Sequence, residues 1–378
     1  MSCGAVVVPT RHSDSKLLAV AVESVLETEH VVAMRLKALD ALAKPVARAQ
    51  SVCLGATQQH LGASALIWAA RFGKTDSTQL LINAKAELEV RDSRLDCTPL
   101  HWAAKKGRTD CAQLLLNAKA ELEAKNDDEA TPLILAAASG HVPVAKLLIG
   151  VNANLEAMDK SGRSALMMAA SGDHTECAQL LIDAKANIEA KDQVGSTALM
   201  VAAQRGKRKC VKLLIDANAD LEAKNENDRT AFMQAVFHPR PLSVMLLIDA
   251  KAKSDAQDSV GQTALMLAAA SAKTYSVQQL IEAKANLEIK DDHGQTALML
   301  AAAGGHVECV KLLIDAEADI SAEDNDGCTA LMLAAASVGD AAAECVKLLA
   351  NASIVAAKHR ERKRRCASDA EMNTSNGV

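Results

Sequence analysis

Residues 98–104 read Thr-Pro-Leu-His-Trp-Ala-Ala, and variants of this phrase recur along most of the chain. Each variant opens with Ser or Thr and runs through Leu or Phe to a pair of small residues, usually Ala-Ala. The first interval between openers is 34 residues and every later interval is 33. This regularity predicts an array of repeats that pack on one another. The openers are Ser64, Thr98, Thr131, Ser164, Thr197, Thr230, Thr263, Thr296 and Thr329.

Within one repeat, the pattern predicts a helix, a tight turn, a second helix and a projecting loop. The opener is a helix N-cap, and Pro99 and Pro132 follow it at the position where a missing N–H is tolerated. The second helix is typified by residues 308–316, ECVKLLIDA, with apolar residues at helical spacing. The loop is typified by residues 286–295, NLEIKDDHGQ, in which Gly294 marks a turn. No single repeat can bury its apolar face, so the repeats must stack.

The residue ten positions after each of the first eight openers carries a side-chain N–H donor. We expect these side chains to bond the last carbonyl groups of their own repeat's first helix. They are Lys74, Arg108, His141, His174, Lys207, Arg240, Lys273 and His306.

Composition supports an aliphatic helical core. Apolar residues make up 49% of the 378 residues, but aromatic residues only 2%. Low aromatic content with abundant Ala favours closely packed helices over a β-sandwich or barrel. We find no secretory signal and no apolar stretch long enough to span a membrane.

The ten cysteines are not arranged as a disulfide framework or a metal site. Five of them occupy one helical phase of the repeat, where we expect buried small hydrophobic residues. We predict a reducing intracellular compartment, no metal site and no cofactor. The five are Cys111, Cys177, Cys210, Cys309 and Cys345.

The phrase Thr98-Pro99-Leu100-His101 resembles the T-P-L-H phrase of the ankyrin-repeat family, and the resemblance covers roughly residues 60–350. It implies an all-α ankyrin-repeat solenoid of about nine helix-turn-helix-loop units. We expect an N-terminal helical cap or extension over residues 1–59, the array over 60–357 and a basic, then disordered tail over 358–378. A coiled coil over residues 14–44 is the alternative to the cap.

Three features depart from the family pattern. Lysine replaces the usual Gly after the second helix at Lys85, Lys119, Lys185, Lys251 and Lys284. If the backbone is left-handed there, as the family implies, each Lys costs about 1 kcal/mol relative to Gly. Glutamate replaces the usual loop Asn at Glu89, Glu123, Glu156, Glu189, Glu222 and Glu288. The sixth repeat is degenerate, with Pro239 and Pro241 at its turn.

The resemblance also implies where partners bind, because positions seven and eight after the opener lie on the family's concave surface. The large or charged candidates there are Arg71, Phe72, Lys105, Lys106, Gln204, Arg205, Phe237 and His238. Basic loop residues that recur in phase could form a ladder beside this surface: Arg91, Lys125, Lys191, Lys224 and Lys290. The alternative is a solvated stripe, paired with the Glu residues two positions earlier. For Trp68 and Trp102, next to the small pair, we favour core packing over an exposed stacking platform.

Residues 358–365, KHRERKRR, carry six Lys/Arg and one Glu. One interpretation is a nuclear localisation signal formed by Lys358, Arg360, Arg362, Lys363, Arg364 and Arg365. The others are binding to nucleic acid or an anionic membrane, and a solvated tail.

We find no phosphate-binding loop, zinc-protease motif or nucleophile elbow, and we expect no enzymatic activity. The sequence favours an intracellular protein-interaction scaffold or adaptor, monomeric and cytoplasmic, with an acidic protein partner. One alternative is a nuclear regulator that uses the basic tail to contact nucleic acid or acidic partners. Another is the targeting subunit of a separate enzyme.

Overall fold

The computed structural model describes residues 65–237, 242–355 and 358. The cap predicted over residues 1–59, the candidate His238 and the basic residues from Arg360 to Arg365 lie outside these ranges. The chain forms two compact parts. Residues 1–103 and 108–121 make up the N-terminal part, and residues 104–107 and 122–378 the C-terminal part.

Two helix pairs begin in the N-terminal part. They are α1 (65–72), α2 (Thr75–Asn83), α3 (Pro99–Lys105) and α4 (Thr109–Asn117). Helix α2 packs against α4, its counterpart in the next repeat. This contact buries Thr78 of α2, whose hydroxyl lies 3.5 Å from the sulfur of Cys111.

The C-terminal part continues the same alternation of first and second helices. Its helices are α5 (Pro132–Ala138), α6 (Val142–Gly150), α7 (Ala165–Gly172), α8 (Thr175–Asp183), α9 (Ala198–Gln204), α10 (Arg208–Asp216), α11 (Ala231–Ala235), α12 (Leu242–Asp249), α13 (Ala264–Ala270), α14 (Thr274–Glu282), α15 (Ala297–Ala303), α16 (Val307–Asp315), α17 (Ala330–Ala336) and α18 (340–355). First helices pack on first helices and second helices on second helices, so this part has two helical layers. The predicted all-α solenoid is confirmed.

The loops between repeats contain only isolated β-bridges among the described residues. These join Met158 to Ser164 and Glu323 to Thr329. Each bridge closes a hairpin directly before a first helix.

The openers act as N-caps, as the sequence predicted. The hydroxyl of Thr131 accepts a hydrogen bond from the N–H of Ile134, and Ser164 does the same for Met167. These bonds satisfy one of the N–H groups that a helix start leaves unpaired.

The small pairs and the in-phase cysteines are core residues. Ala136 and Ala137 of α5, which packs against α7, are fully buried. Cys177 and Cys210 are fully buried as well, and burial raises their pKa to about 11 and about 12. Both thiols are therefore protonated and unreactive at neutral pH, which agrees with a packing role.

The backbone directly after the second helices α2 to α16 is left-handed, as the resemblance implied. Lys119 has φ 68°, Lys185 φ 72° and Lys284 φ 62°. The N–H of Lys284 bonds the carbonyl of Ile281 and thereby closes the helix end.

The sixth repeat is shortened where its sequence is degenerate. Helix α11 has five residues, whereas α9 and α13 each have seven. Residues 238–241, which include both prolines of the turn, lie outside the described ranges.

Candidate protein-interaction surfaces

The N-terminal part carries a stacked cluster of aromatic rings around Arg71. The rings of Trp68 and Phe72 are parallel, with centroids 5.0 Å apart. The guanidinium carbon of Arg71 lies 4.5 Å from the ring centroid of Trp102, 5.3 Å from Trp68 and 5.5 Å from Phe72. We call these four residues the Arg71 cluster.

The Arg71 cluster is partly open to solvent. Phe72 is 39% exposed and Trp68 is half-buried, while Trp102 is 7% exposed. The expected core packing is therefore right for Trp102, whereas Trp68 lies in a partly exposed stack. Both tryptophans fall four residues after an opener, and this shared phase was the sequence signal that could have revealed the stack.

Hydrogen bonds fix the cluster from two sides. The Arg108 Nε donates to the carbonyl of Arg71 at 3.2 Å, and the Trp102 Nε1 donates to Asp92 Oδ2 at 2.6 Å. Burial alone would raise the pKa of Asp92. The N–H of Leu95, the Trp102 indole and further backbone N–H groups outweigh it and lower that pKa. Asp92 is thus held as a carboxylate that orients the Trp102 ring.

The helix-end candidates of the C-terminal part are more scattered. Lys106, Gln204 and Arg205 are exposed, and Lys105 is half-buried. Phe237 is half-buried and lies under Arg229, whose guanidinium carbon is 6.0 Å from the ring centroid.

The histidines ten residues after the openers bond the preceding repeat, not their own helix as we predicted. The Nε2 of His141 lies 3.2 Å from the carbonyl oxygen of Lys105, which ends the previous first helix. His174 and His306 make the equivalent bonds to Ala138 and Ala270, at 3.1 and 3.0 Å. A carbonyl oxygen only accepts, so each Nε2 is the donor. These bonds link one repeat to the next.

The loop lysines form an in-phase ladder in the C-terminal part. The Lys191 Nζ donates to the carbonyl of Lys224 at 2.8 Å, and Lys224 donates to that of Gln257 at 3.1 Å. Lys290 donates to the carbonyl of Glu323 at 2.7 Å. Lys125 instead pairs with Glu129 at 3.1 Å.

The loop glutamates form a second ladder, which we call the carboxylate ladder. The carboxylate of Glu156 accepts the backbone N–H of Asn187 in the next repeat, and Glu189 accepts that of Asp220, both at 2.8 Å. Glu89, Glu123, Glu222, Asp255 and Glu288 accept equivalent N–H groups. Glu189, Glu222 and Glu288 therefore bond backbone N–H groups, and in the described ranges they form no ion pair with Lys191, Lys224 or Lys290, two positions later.

Two further expectations concern metals and membranes. Within residues 65–237 and 242–355, no three His, Cys, Asp or Glu side chains are grouped so as to hold a metal ion. No helix in these ranges has the length and apolar content needed to cross a membrane. Of the basic tail, only Lys358 is described, and the localisation signal stays a prediction.

Stacked helix pairs with ladders between their loops define a helical repeat protein. The family model for ankyrin repeats in three copies matches residues 32–126, 120–192, 185–258, 232–324 and 265–359. The chain belongs to the ankyrin-repeat family. Ankyrin repeats are generally protein–protein interaction modules, and proteins built from them are typically non-enzymatic. Comparison with curated proteins finds no match.

Proposed function

We propose that this protein is an interaction scaffold or adaptor that binds a protein partner through the exposed ends of its first helices. The Arg71 cluster carries the proposal. Tryptophan and arginine are the residue types most enriched at interface hot spots. The chain has only two Trp residues, and both lie in this cluster.

Charge supports an acidic partner. Arg71 in the N-terminal part and Lys105, Lys106 and Arg205 in the C-terminal part are all basic helix-end residues. Phe72 offers an exposed ring beside Arg71 for an apolar side chain of the partner. The partner chemistry that fits is a carboxylate adjacent to an apolar side chain.

Affinity purification with the full chain as bait tests the proposal. The wild type is compared with an Arg71→Ala/Phe72→Ala variant and with a Lys105→Ala/Lys106→Ala/Arg205→Ala variant. Leu80→Ala is the matched control, because Leu80 is a 40% exposed apolar residue of the same N-terminal part, on α2.

We expect a partner that the wild type and Leu80→Ala retain and that Arg71→Ala/Phe72→Ala loses. Truncating a hot-spot pair weakens binding by about 2 kcal/mol or more, which is about thirtyfold. Equal recovery by all variants would reject the helix ends as the binding surface. Circular dichroism checks that each variant is folded.

A further inference from the structure

The second helix of the fifth repeat has an unusual run of positive charge. Arg208, Lys209 and Lys212 on α10 are exposed, Lys207 occupies its N-cap and Arg205 precedes the turn. No hydrogen bond or ion pair joins these five side chains to any other described residue. They follow one another without an acidic residue between them.

This charge opposes what helix stability favours. A helix start attracts negative charge, and the second position of α2, α4, α8 and α16 is acidic: Asp76, Asp110, Glu176 and Glu308. At the same position, α10 has Lys209. Sequence choices that go against local stability without an internal hydrogen bond or ion pair are expected at functional surfaces.

An exposed apolar strip continues from these lysines. Leu242 and Met245 lie 33 residues after Lys209 and Lys212, on α12, which packs directly against α10. They are 43% and 39% exposed. Tyr275 follows in the same phase on α14 and is 46% exposed, with its hydroxyl 3.8 Å from the sulfur of Met245. We call Lys209, Lys212, Leu242, Met245 and Tyr275 the outer patch.

The opposite side of α10 has mixed charge. A groove of about 540 Å³ beside α8 and α10 is lined by Asp173, Glu176 and Asp216 as well as by Lys209 and Lys212. An acidic ligand is repelled on that side. It is favoured on the α12 side, where the first turn has no acidic residue and the exposed neighbours are apolar.

We propose that the outer patch docks an acidic amphipathic segment of a partner protein. Its carboxylates lie over the first turn of α10, and its apolar side chains cover Leu242, Met245 and Tyr275. This surface is formed by second helices and is separate from the helix ends used in the proposed function. Isolated apolar residues on a surface need no partner, but a continuous apolar strip that begins beside basic side chains is complementary to an acidic amphipathic segment.

Selection from a random peptide library displayed on phage tests the proposal on the full chain. The patch variant is Lys209→Glu/Lys212→Glu/Met245→Ala. The matched control is Lys146→Glu/Lys311→Glu, because both lysines are exposed and hold the phase of Lys212 in other repeats. Phe72→Ala reports separately on the helix-end surface.

We expect the wild type to select peptides rich in Asp and Glu with Leu or Phe at helical spacing. Fluorescence anisotropy should show at least about tenfold weaker binding of these peptides to the patch variant. The peptides that the patch variant binds weakly should bind Lys146→Glu/Lys311→Glu and Phe72→Ala as tightly as they bind the wild type, whereas any peptide that only Phe72→Ala loses belongs to the helix-end surface. If the selected peptides lost affinity only for Phe72→Ala, the helix ends would be their binding site. That result would overturn the proposal and leave the proposed function intact.

Two other results would also overturn it. One is the selection of peptides that are not acidic, or that bind the patch variant as well as the wild type. The other is stronger binding to phosphatidylserine vesicles or duplex DNA, lost in the patch variant, which would assign the patch to a membrane or nucleic acid instead.

Discussion

At the scale of single residues, five lysines occupy a backbone conformation in which Gly is least strained. Lys85, Lys119, Lys185, Lys251 and Lys284 have φ between 57° and 72°. In this region the Cβ atom of an L-residue approaches a carbonyl oxygen, which glycine avoids. The lysine charge at the end of a helix offsets only part of that strain.

Lys284→Gly should therefore stabilise the protein by about 1 kcal/mol despite the added freedom of the unfolded chain. Urea denaturation measures the change in the free energy of unfolding. Lys311→Gly is the control, because Lys311 lies inside α16, where Gly should lower stability by about 1 kcal/mol. A decrease for Lys284→Gly would show that the left-handed lysine is not strained.

A second residue-scale feature is the carboxylate of Asp291. Asp291 is 6% exposed, and its Oδ2 has no hydrogen-bond partner among the described residues. One repeat earlier, the equivalent Asp258 Oδ2 accepts a bond from Arg229 at 3.1 Å. The residue in the place of Arg229, one repeat later, is Gln262. A buried acceptor without a donor is destabilising.

Gln262→Arg should restore the missing bond and raise the free energy of unfolding by about 1 kcal/mol. Differential scanning calorimetry measures the shift in Tm. Gln295→Arg, the same change one repeat later, should have a smaller effect because Asp324 already receives a side-chain bond from Gln295. Equal increases in Tm from both substitutions would indicate a general effect of the added positive charge and not the restored hydrogen bond.

At the scale of helices and loops, the sequence predicted what belongs to a single repeat. The Ser or Thr caps, the buried cysteines and the left-handed lysines all follow from chemistry within one repeat or from the family phrase. Contacts between repeats were not predictable in this way. His174 bonds a carbonyl 36 residues earlier, and that offset depends on how far neighbouring helices are displaced.

The same distinction between features of one repeat and contacts between repeats applies to the candidate site. Sequence singled out Arg71 and Phe72 by their position in the repeat. It did not reveal that the Arg71 guanidinium contacts Trp102 of the following repeat, because that distance is set by packing. Nor did it show that Lys191 and Lys224 donate to backbone carbonyls of the next loop.

The carboxylate ladder gives a prediction at the scale of the loops. Replacing Glu156, Glu189 and Glu222 together by Ala removes three bonds to the following repeats and should lower the free energy of unfolding by about 2 kcal/mol. The triple Gln variant keeps an acceptor oxygen at each position and should lose less than half as much. Urea denaturation compares the two variants. Equal losses in the free energy of unfolding would mean that the negative charge of the glutamates, and not the hydrogen bond, stabilises the array.

At the scale of the whole molecule, stability varies along a repeat array because each repeat contacts only its neighbours. The last described repeats expose apolar side chains, with Met332 56% and Ile354 53% exposed. The buried cysteines are natural probes of this variation, because one lies in each of several repeats.

Alkylation with iodoacetamide at pH 8, followed by mass spectrometry, should map local opening. Cys328 is partly exposed and should react first among the described cysteines. Cys345, in the last described repeat, should react before Cys210, whose buried thiol has a pKa raised to about 12. If Cys210 reacted as fast as Cys328, the middle of the array would not be more stable than its end.

The carboxylate ladder also affects how a repeat array can lengthen during evolution. Each of its bonds joins a side chain of one repeat to a main-chain N–H of the next, and every residue except proline supplies that donor. A copy of a repeat inserted by gene duplication would therefore keep this bond to its neighbours without a compensating mutation. The array can lengthen by copying, while the side chains on its outer surfaces diverge.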